Sequence, residues 1–315
     1  MAASSMQRMN FAGVDIPRLG MGCMALSIEG RPERDTAITT IHSALDAGVR
    51  YLDTAWSYYL PEYRPARSAQ TPSRLQSPAT SGGNDYRSDY GERLVHDALS
   101  TWKGAQDEVL VASKIGWSRT VDAQGRYGWK ADARPETIIS QAKESAHRLG
   151  LESFGLLYSH CNDPQVPYDE QMEAFRRLVD EGVARAIGIS RVDNADIDVA
   201  LRVLGKDLIA VQNQFSPSYP DPLHTMEHCE KHDLAFVCWS PLGGFLDPVD
   251  AQAYEAFKAI AAERGVSYQR VVLAWELSKY DRLITIPSAR NPHEIQDSFA
   301  ATQLTLSDEE LRRLP

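Results

Sequence analysis

Cysteine is scarce in this chain. Four residues, Cys23, Cys161, Cys229 and Cys238, are spread over 315 positions with no paired metal-binding spacing. That excludes a zinc ribbon, and four cysteines in a chain this long are no disulfide scaffold, so reduced thiols in the cytoplasm are expected. Long apolar runs are also missing. None approaches the roughly 20 residues needed to cross a bilayer, and the first residues hold no apolar segment of the signal-peptide kind. Basic charge is outnumbered, with 33 Lys plus Arg against 43 Asp plus Glu and a net charge of −10. An acidic chain without a basic block is a poor partner for nucleic acid or an anionic membrane. One glycine is missing too. The first strand-like run carries Gly20-Met21-Gly22 but not the third glycine of G-x-G-x-x-G, which argues against an open doubly wound dinucleotide fold.

What the chain does have is 43% hydrophobic residues, enough for a large core and for one domain spanning 1–315. Short apolar runs, often β-branched, recur at 19–24, 49–53, 109–113, 155–159, 184–189, 208–212, 234–239 and 283–286. Amphipathic segments lie between them, among them Arg34–Ala47, 93–102, Pro135–Leu149 and 170–181. Alternating strands and helices imply parallel pairing. Eight repeats in about 300 residues predict an α/β chain closed into a (β/α)8 TIM barrel. Pro135 beside Glu136 suits a helix start, Gly150 and Gly182 suit helix ends, and Ser307 with Glu310 reads as a capping box.

A polar stretch at about 60–88 interrupts the pattern with Pro, Gly, Ser and Arg. Its composition suits a mobile insertion. The other reading is a lid whose arginines meet an anionic substrate.

Barrel sites lie where the strands end, and seven of the eight ends carry polar or functional side chains: Asp53, Lys114, His160, Ser190-Arg191, Gln212-Asn213, Trp239-Ser240, and Ser288 with Arg290. A single Lys or His after a strand reads as a satisfied structural group; seven ends meeting on one rim do not. Asp53 and Lys114 fall on neighbouring strands, within reach of Tyr58 and His160. A phenol with a pKa of about 10 is a poor acid at neutral pH. A nearby ammonium lowers that value, a carboxylate offsets the cost of burying the ammonium, and an imidazole orients a substrate oxygen. Such a group is a proton donor aimed at a carbonyl, and its complement is a nicotinamide hydride source. Ser190 and Gln212 suit the carboxamide, Trp239 the ring, Ser240-Pro241-Leu242-Gly243 the pyrophosphate, and Ser288 with Arg290 a 2′-phosphate.

These residues also carry a resemblance. Asp53-Thr54-Ala55-x-x-Tyr58, Lys114, His160, Gly188-Ile189-Ser190, Val211-Gln212, Trp239-Ser240-Pro241-Leu242-Gly243 and Ile286-Pro287-Ser288-Ala289-Arg290 stand in the order of the aldo-keto reductases, which the chain resembles from about residue 16 to 314. The resemblance implies an Asp–Tyr–Lys–His tetrad with Tyr58 as general acid. It further implies NADPH, rather than NADH, across the C-terminal rim, with contacts extending to Gly22, Cys23, Met24, Gln296 and Ser298, and a small-molecule carbonyl substrate. Three departures stand out. Arg191 replaces the usual Asn, which donates and accepts where Arg only donates. The adenine-side helix reads Gln296-Asp297-Ser298 in place of Glu-Asn. The insertion after Tyr58 is unusually long. Two other activities fit the same residues: an NADPH-binding partner subunit with little turnover, and a reductase of an imine or keto-sugar.

Three further groups have less specific readings. His224, His228 and His232, spaced by four, read as a polar helix face rather than a metal site. Cys161 reads as a small buried side chain. Asp163 and Asp193 read as loop caps rather than a glycosidase pair.

Overall fold

The protein is seen here as a computed structural model that describes residues 8–63, 85–244 and 250–315. Most of the insertion anticipated at about 60–88 lies outside the described residues.

The chain opens with a hairpin of β1 (Arg8–Phe11) and β2 (Val14–Pro17). Its two-residue turn, Ala12-Gly13, has positive φ at both positions (51° and 85°), the backbone that matches the twist of a two-residue hairpin. Next come β3 (Met21–Gly22), α1 (Arg34–Ala47), β4 (Tyr51–Asp53), α2 (Tyr90–Thr101) and β5 (Leu110–Ile115). A second hairpin, β6 (Trp117–Val121) with β7 (Tyr127–Ala131), precedes α3 (Pro135–Leu149). The alternation resumes with β8 (Leu156–Ser159), α4 (Tyr168–Asp180), β9 (Ile187–Ser190), α5 (Asn194–Leu204), β10 (Leu208–Gln214), α6 (Thr225–Lys231) and β11 (Ala235–Trp239). Two helices, α7 (Glu255–Arg264) and α8 (Tyr268–Leu277), lead to β12 (Leu283–Thr285), followed by α9 (Pro292–Phe299) and α10 (Asp308–Arg312).

Eight parallel strands pair in the order β3-β4-β5-β8-β9-β10-β11-β12. The first and last also meet. Leu19 bridges Thr285 and Gly22 bridges Ser288, with Gly20 N–H donating to Thr285 O at 2.9 Å and Gly22 N–H to Pro287 O at 3.0 Å. The seam depends on glycine: a Cβ on Gly22 would stand 3.0 Å from both Ile286 O and Ser288 Oγ. The sheet is thus the expected (β/α)8 barrel.

Two apolar layers follow from that closure. Inward side chains such as Tyr51, Leu110, Ala112, Leu156, Ala210, Val237 and Ile284 fill the barrel together with Phe11 and Ile16 of the N-terminal hairpin. Outward ones, among them Leu52, Val111, Leu157, Ile189 and Phe236, pack under the helices. Strands buried on both faces need near-continuous apolar sequence, and each fully buried Leu, Ile or Val stabilises the fold by about 1.5–3 kcal/mol. The plug at one end leaves the C-terminal rim for chemistry. No helix among the described residues is long and apolar enough to cross a membrane.

All eight strands fall where the apolar runs predict them. Pro135 opens α3, Gly150 ends it in a left-handed conformation (φ 68°), and Ser307 and Glu310 form a capping box on α10. Helix α2 starts at Tyr90 rather than 93, and β5 continues past Lys114 to Ile115.

Candidate active site

Strand β4 ends at Asp53, which pairs in register with Ala112 of β5. Lys114 lies two residues further along β5, on the same inward face. Its Nζ donates to the Asp53 carboxylate, to Thr54 O at 2.8 Å and to the Tyr58 hydroxyl at 3.1 Å. The side chains of Lys114 and Asp53 are each only 2% exposed. Tyr58 sits on a tight turn after β4, its N–H bonded to Ala55 O at 3.1 Å and its O accepting from Gly91 N–H at 3.0 Å. Gly91 is required there, since a Cβ would lie 2.4 Å from Tyr58 O. The first turn of α2 therefore clamps the backbone of the phenol.

The second Asp53 oxygen accepts from Gln212 Nε2 at 2.8 Å and from the Tyr51 hydroxyl at 3.2 Å, which in turn lies 3.3 Å from the Tyr158 hydroxyl. Gln212, read from the sequence as a carboxamide contact, thus also fixes the carboxylate. Tyr51 and Tyr158 escaped the sequence reading. Each stands two residues before a rim residue, Asp53 or His160, so the strand period alone places them on the inward face.

Burial sets the charge states. It would depress Lys114, but Asp53 and Tyr58 outweigh it, and the ammonium is held above the ordinary lysine range. Burial likewise dominates at Tyr58 and raises it above the ordinary phenol value, with Lys114 pulling the other way. The net lowering expected from the sequence is therefore corrected: the ammonium's help is present, but desolvation of the phenolate is larger. His160 is held well below the usual imidazole range by burial, then by Lys114 and Arg191. It is neutral, with Ser57 Oγ 3.4 Å from Nδ1.

One cleft, with about 1030 Å³ of empty space and open to solvent, brings this cluster together with most of the anticipated cofactor residues. Gly22, Met24, Ser190, Arg191, Gln212, Trp239, Ser240, Pro241, Leu242, Gly243, Ser288 and Arg290 all line it. Cys23, Gln296 and Ser298 do not. Cys23 is fully buried, with its N–H bonded to Asp53 O at 2.8 Å, and burial pushes its thiol up to about 12. Gln296 is exposed, Ser298 is buried, and the intervening Asp297 is taken by Ser267, the N-cap of α8, and by Arg270 within that helix. Ser190 Oγ donates to Gln212 O at 2.7 Å.

The hairpin β6–β7 adds residues that the sequence reading placed in no element. Trp117 and Trp129 stack at 4.6 Å and line the cleft, and Trp117 meets His160 edge-on at 4.7 Å. Arg119 ion-pairs with Glu29 and stands over the Trp129 ring at 4.1 Å. The signal was available in the alternation around the Asp122-Ala123-Gln124-Gly125 turn.

The other groups have local partners, and the side-chain ligand atoms of Asp198, His228 and His232 all lie within 4.8 Å of one another. His224 caps α6 in a left-handed conformation (φ 53°), leaving its helix-face partners. His228 bonds Asp198 Oδ1 at 2.8 Å beside His232, their rings 4.8 Å apart. Asp193 forms a capping box with Asp196, and Asp163 accepts from the N–H groups of Ala133 and Gln165, each at 3.0 Å. Cys161 is buried, and burial pushes its thiol up to about 12.

The described strands form a closed parallel (β/α)8 barrel that gathers a carboxylate, an ammonium, a phenol and an imidazole on its C-terminal rim. The chain belongs to the aldo/keto reductase family, whose model matches residues 18–315, and it is an oxidoreductase of a family whose general reaction is carbonyl reduction. It is 25% identical over 304 residues to an uncharacterised oxidoreductase, C215.11c, of Schizosaccharomyces pombe, covering 95% of this chain and 86% of that one. It is 24% identical over 309 residues to pyridoxine 4-dehydrogenase of Escherichia coli, covering 95% and 94%. Among solved structures, an aldo-keto reductase of Klebsiella pneumoniae in complex with NADPH superposes with a TM-score of 0.72 at 21% identity, covering 98% of this chain and 93% of that one. At that identity the likeness speaks to the fold.

Proposed function

We propose that the chain reduces an aldehyde or ketone to an alcohol with NADPH, and that Tyr58 is the general acid. The observation that carries this is the ammonium of Lys114 bonded at once to Asp53 and to the Tyr58 hydroxyl at the floor of a solvent-open cleft. The cleft suits a nicotinamide dinucleotide. The Ser240–244 turn has positive φ at Ser240 (53°), Gly243 (73°) and Gly244 (83°), a backbone able to turn N–H groups toward an anion. Trp239, Pro241, Leu242 and Met24 offer apolar surface, and the exposed Ser288 and Arg290 suit a phosphate. Bound NADPH supplies the hydride.

The residues do the rest. A phenol raised by burial is fully protonated at neutral pH, the state a donor must hold. As negative charge grows on the carbonyl oxygen, Tyr58 releases its proton and Lys114 meets the nascent phenolate at hydrogen-bond distance. Asp53, held by Gln212 and Tyr51, keeps Lys114 charged. Neutral His160, with Nδ1 beside Ser57, has Nε2 left to orient the carbonyl. A carbonyl panel followed by loss of NADPH absorbance, with NADH alongside, tests the reading. Oxidation of NADPH by at least one aldehyde or ketone is expected. Tight NADPH binding with no turnover across the panel would refute it in favour of a cofactor-binding partner subunit.

A further inference from the structure

A second cluster of ligating side chains lies outside the cleft. Helix α6 carries His228 in its last turn and ends at His232, its C-cap. A spacing of four puts both imidazoles on one helix face, and their ring centroids stand 4.8 Å apart. Asp198, on the preceding helix α5, reaches the same point, with Oδ1 2.8 Å from His228 Nε2. One ligand atom from each of the three lies within 4.8 Å of the other two. Among the described residues this is the one group of three His, Cys, Asp or Glu side chains placed to hold a metal ion. Spacing by four in the sequence reads as a polar face that includes His224. The structure removes His224, which caps the start of α6, and supplies Asp198 from another helix.

The backbones beneath the cluster are fixed. Thr225 and Cys229 bury one side of α6, and Ile197 and Ala200 of α5 are buried on either side of Asp198 in the chain. The ligating side chains stay accessible, Asp198 and His232 exposed and His228 half-buried. None of the three lines the cleft.

The hydrogen bond to Asp198 accounts for His228 but not for His232; a cation accounts for all three. Zinc holds imidazole nitrogens and carboxylate oxygens at about 2.0–2.2 Å, which sets tetrahedral ligands about 3.3 Å apart. The Asp198–His228 pair opens slightly from 2.8 Å and His232 closes from at most 4.8 Å, small movements for accessible side chains. The His228 ring keeps its proton by shifting it to the nitrogen away from the ion. The last carbonyls of α6 favour positive charge at that end. Two imidazoles with one carboxylate suit zinc, copper or nickel rather than the calcium or magnesium of all-oxygen sites.

We propose that Asp198, His228 and His232 bind one divalent transition-metal ion of the zinc class, with water completing its shell, and that the ion clasps α5 to α6. The site stands apart from the cleft and does not depend on the reductase reading.

The test titrates zinc chloride by calorimetry into the full chain, freed of metal by chelator, and reads its melting temperature with and without zinc. The variants are Asp198→Asn, His228→Asn and His232→Asn, each alone, and the triple variant, which measures the background from the remaining histidines and carboxylates. All four thiols are buried and do not compete in the folded chain. Losing a group that merely orients a ligand costs about 10- to 100-fold in metal affinity, so each single variant should bind zinc at least about tenfold more weakly than the wild type. An ion that binds only the folded chain stabilises it, so zinc should raise the melting temperature of the wild type and not that of the triple variant. Copper(II) in place of zinc gives a spectroscopic signature: paramagnetic resonance should show splitting from two imidazole nitrogens in the wild type and from one in either histidine variant. Equal zinc affinity in wild type and triple variant overturns the proposal. So does wild-type affinity in Asp198→Asn or His232→Asn, which leaves no three-ligand site. Zinc that lowers both melting temperatures alike reports binding to the unfolded chain and also overturns it.

Discussion

Replacing Asp53 with Asn tests the electrostatic core of the cluster without changing its shape. The carboxylate faces Lys114 through one oxygen and Gln212 with Tyr51 through the other. An amide has one acceptor and one donor end, so whichever way Asn turns, a donor meets a donor. Both side chains of the ion pair are 2% exposed, and removing one partner of so buried a pair costs about 3–5 kcal/mol, a large share of the roughly 5–15 kcal/mol that holds a domain folded. The variant should also change the sign of the pH dependence. In the wild type Lys114 is raised above its unfolded value, so its stabilisation is complete below about pH 10 and declines only in strong alkali. Without Asp53, burial acts on Lys114 largely unopposed and depresses it below its unfolded value. The unfolded state then binds more protons, and stability climbs with pH by up to about 1.4 kcal/mol per unit. Urea denaturation of both proteins between pH 6 and 9 reads both effects. The double variant Asp53→Asn/Lys114→Met should recover part of the loss, because the stranded ammonium is gone. A loss under about 1 kcal/mol, with no pH slope and no recovery, would refute the reasoning.

Three further outcomes follow from other parts of the molecule. With Tyr58 raised and His160 lowered well below its usual range, neither group changes charge near neutrality, so kcat should stay flat from about pH 7 to 9 and fall only in alkali; a bell centred near pH 7 would contradict both assignments. Gly91→Ala puts a Cβ 2.4 Å from Tyr58 O, so it should destabilise by about 1–3 kcal/mol and lower kcat about tenfold or more by displacing the phenol; paired melting and kinetics check this, and unchanged kcat would dissociate α2 from the site. Glu276 is buried and raised well above the carboxylate range, with Thr285 Oγ1 bonded to it at 2.8 Å. Its stabilising neutral form is fully favoured below the unfolded value near pH 4.3 and its contribution is lost as pH rises toward the folded value, so Glu276→Gln should flatten the fall of melting temperature between about pH 5 and 8.

The barrel was legible because its strands are buried on both faces, which demands compact β-branched runs such as 184–189 and 208–212. Rim residues were legible because strand ends punctuate those runs. The hairpin β6–β7 was missed because it belongs to no β/α repeat, although Trp117 and Trp129 alternate as a strand requires. Tyr51 and Tyr158 were hidden as ordinary core aromatics; they stand on the two strands that flank β5, and only the strand order and the curl of the sheet bring them within reach of each other. Arg191 stood out in the sequence as a departure, but the indoles beside it, Trp117 and Trp239, come from segments far apart in the chain. The direction of the Tyr58 shift was beyond sequence reasoning for a different reason. It depends on how completely the phenol is buried, and the sequence names the neighbouring ammonium but not the depth.

The most direct measurement of the central claim is the turnover of Tyr58→Phe with NADPH and whichever carbonyl the wild type reduces, alongside its NADPH affinity. The substitution removes one hydroxyl, the atom bonded to Lys114 at 3.1 Å. The account expects kcat to fall by at least about a hundredfold, the scale of lost general-acid catalysis, while NADPH binds within about threefold of the wild type. Turnover within about twofold of the wild type would contradict it.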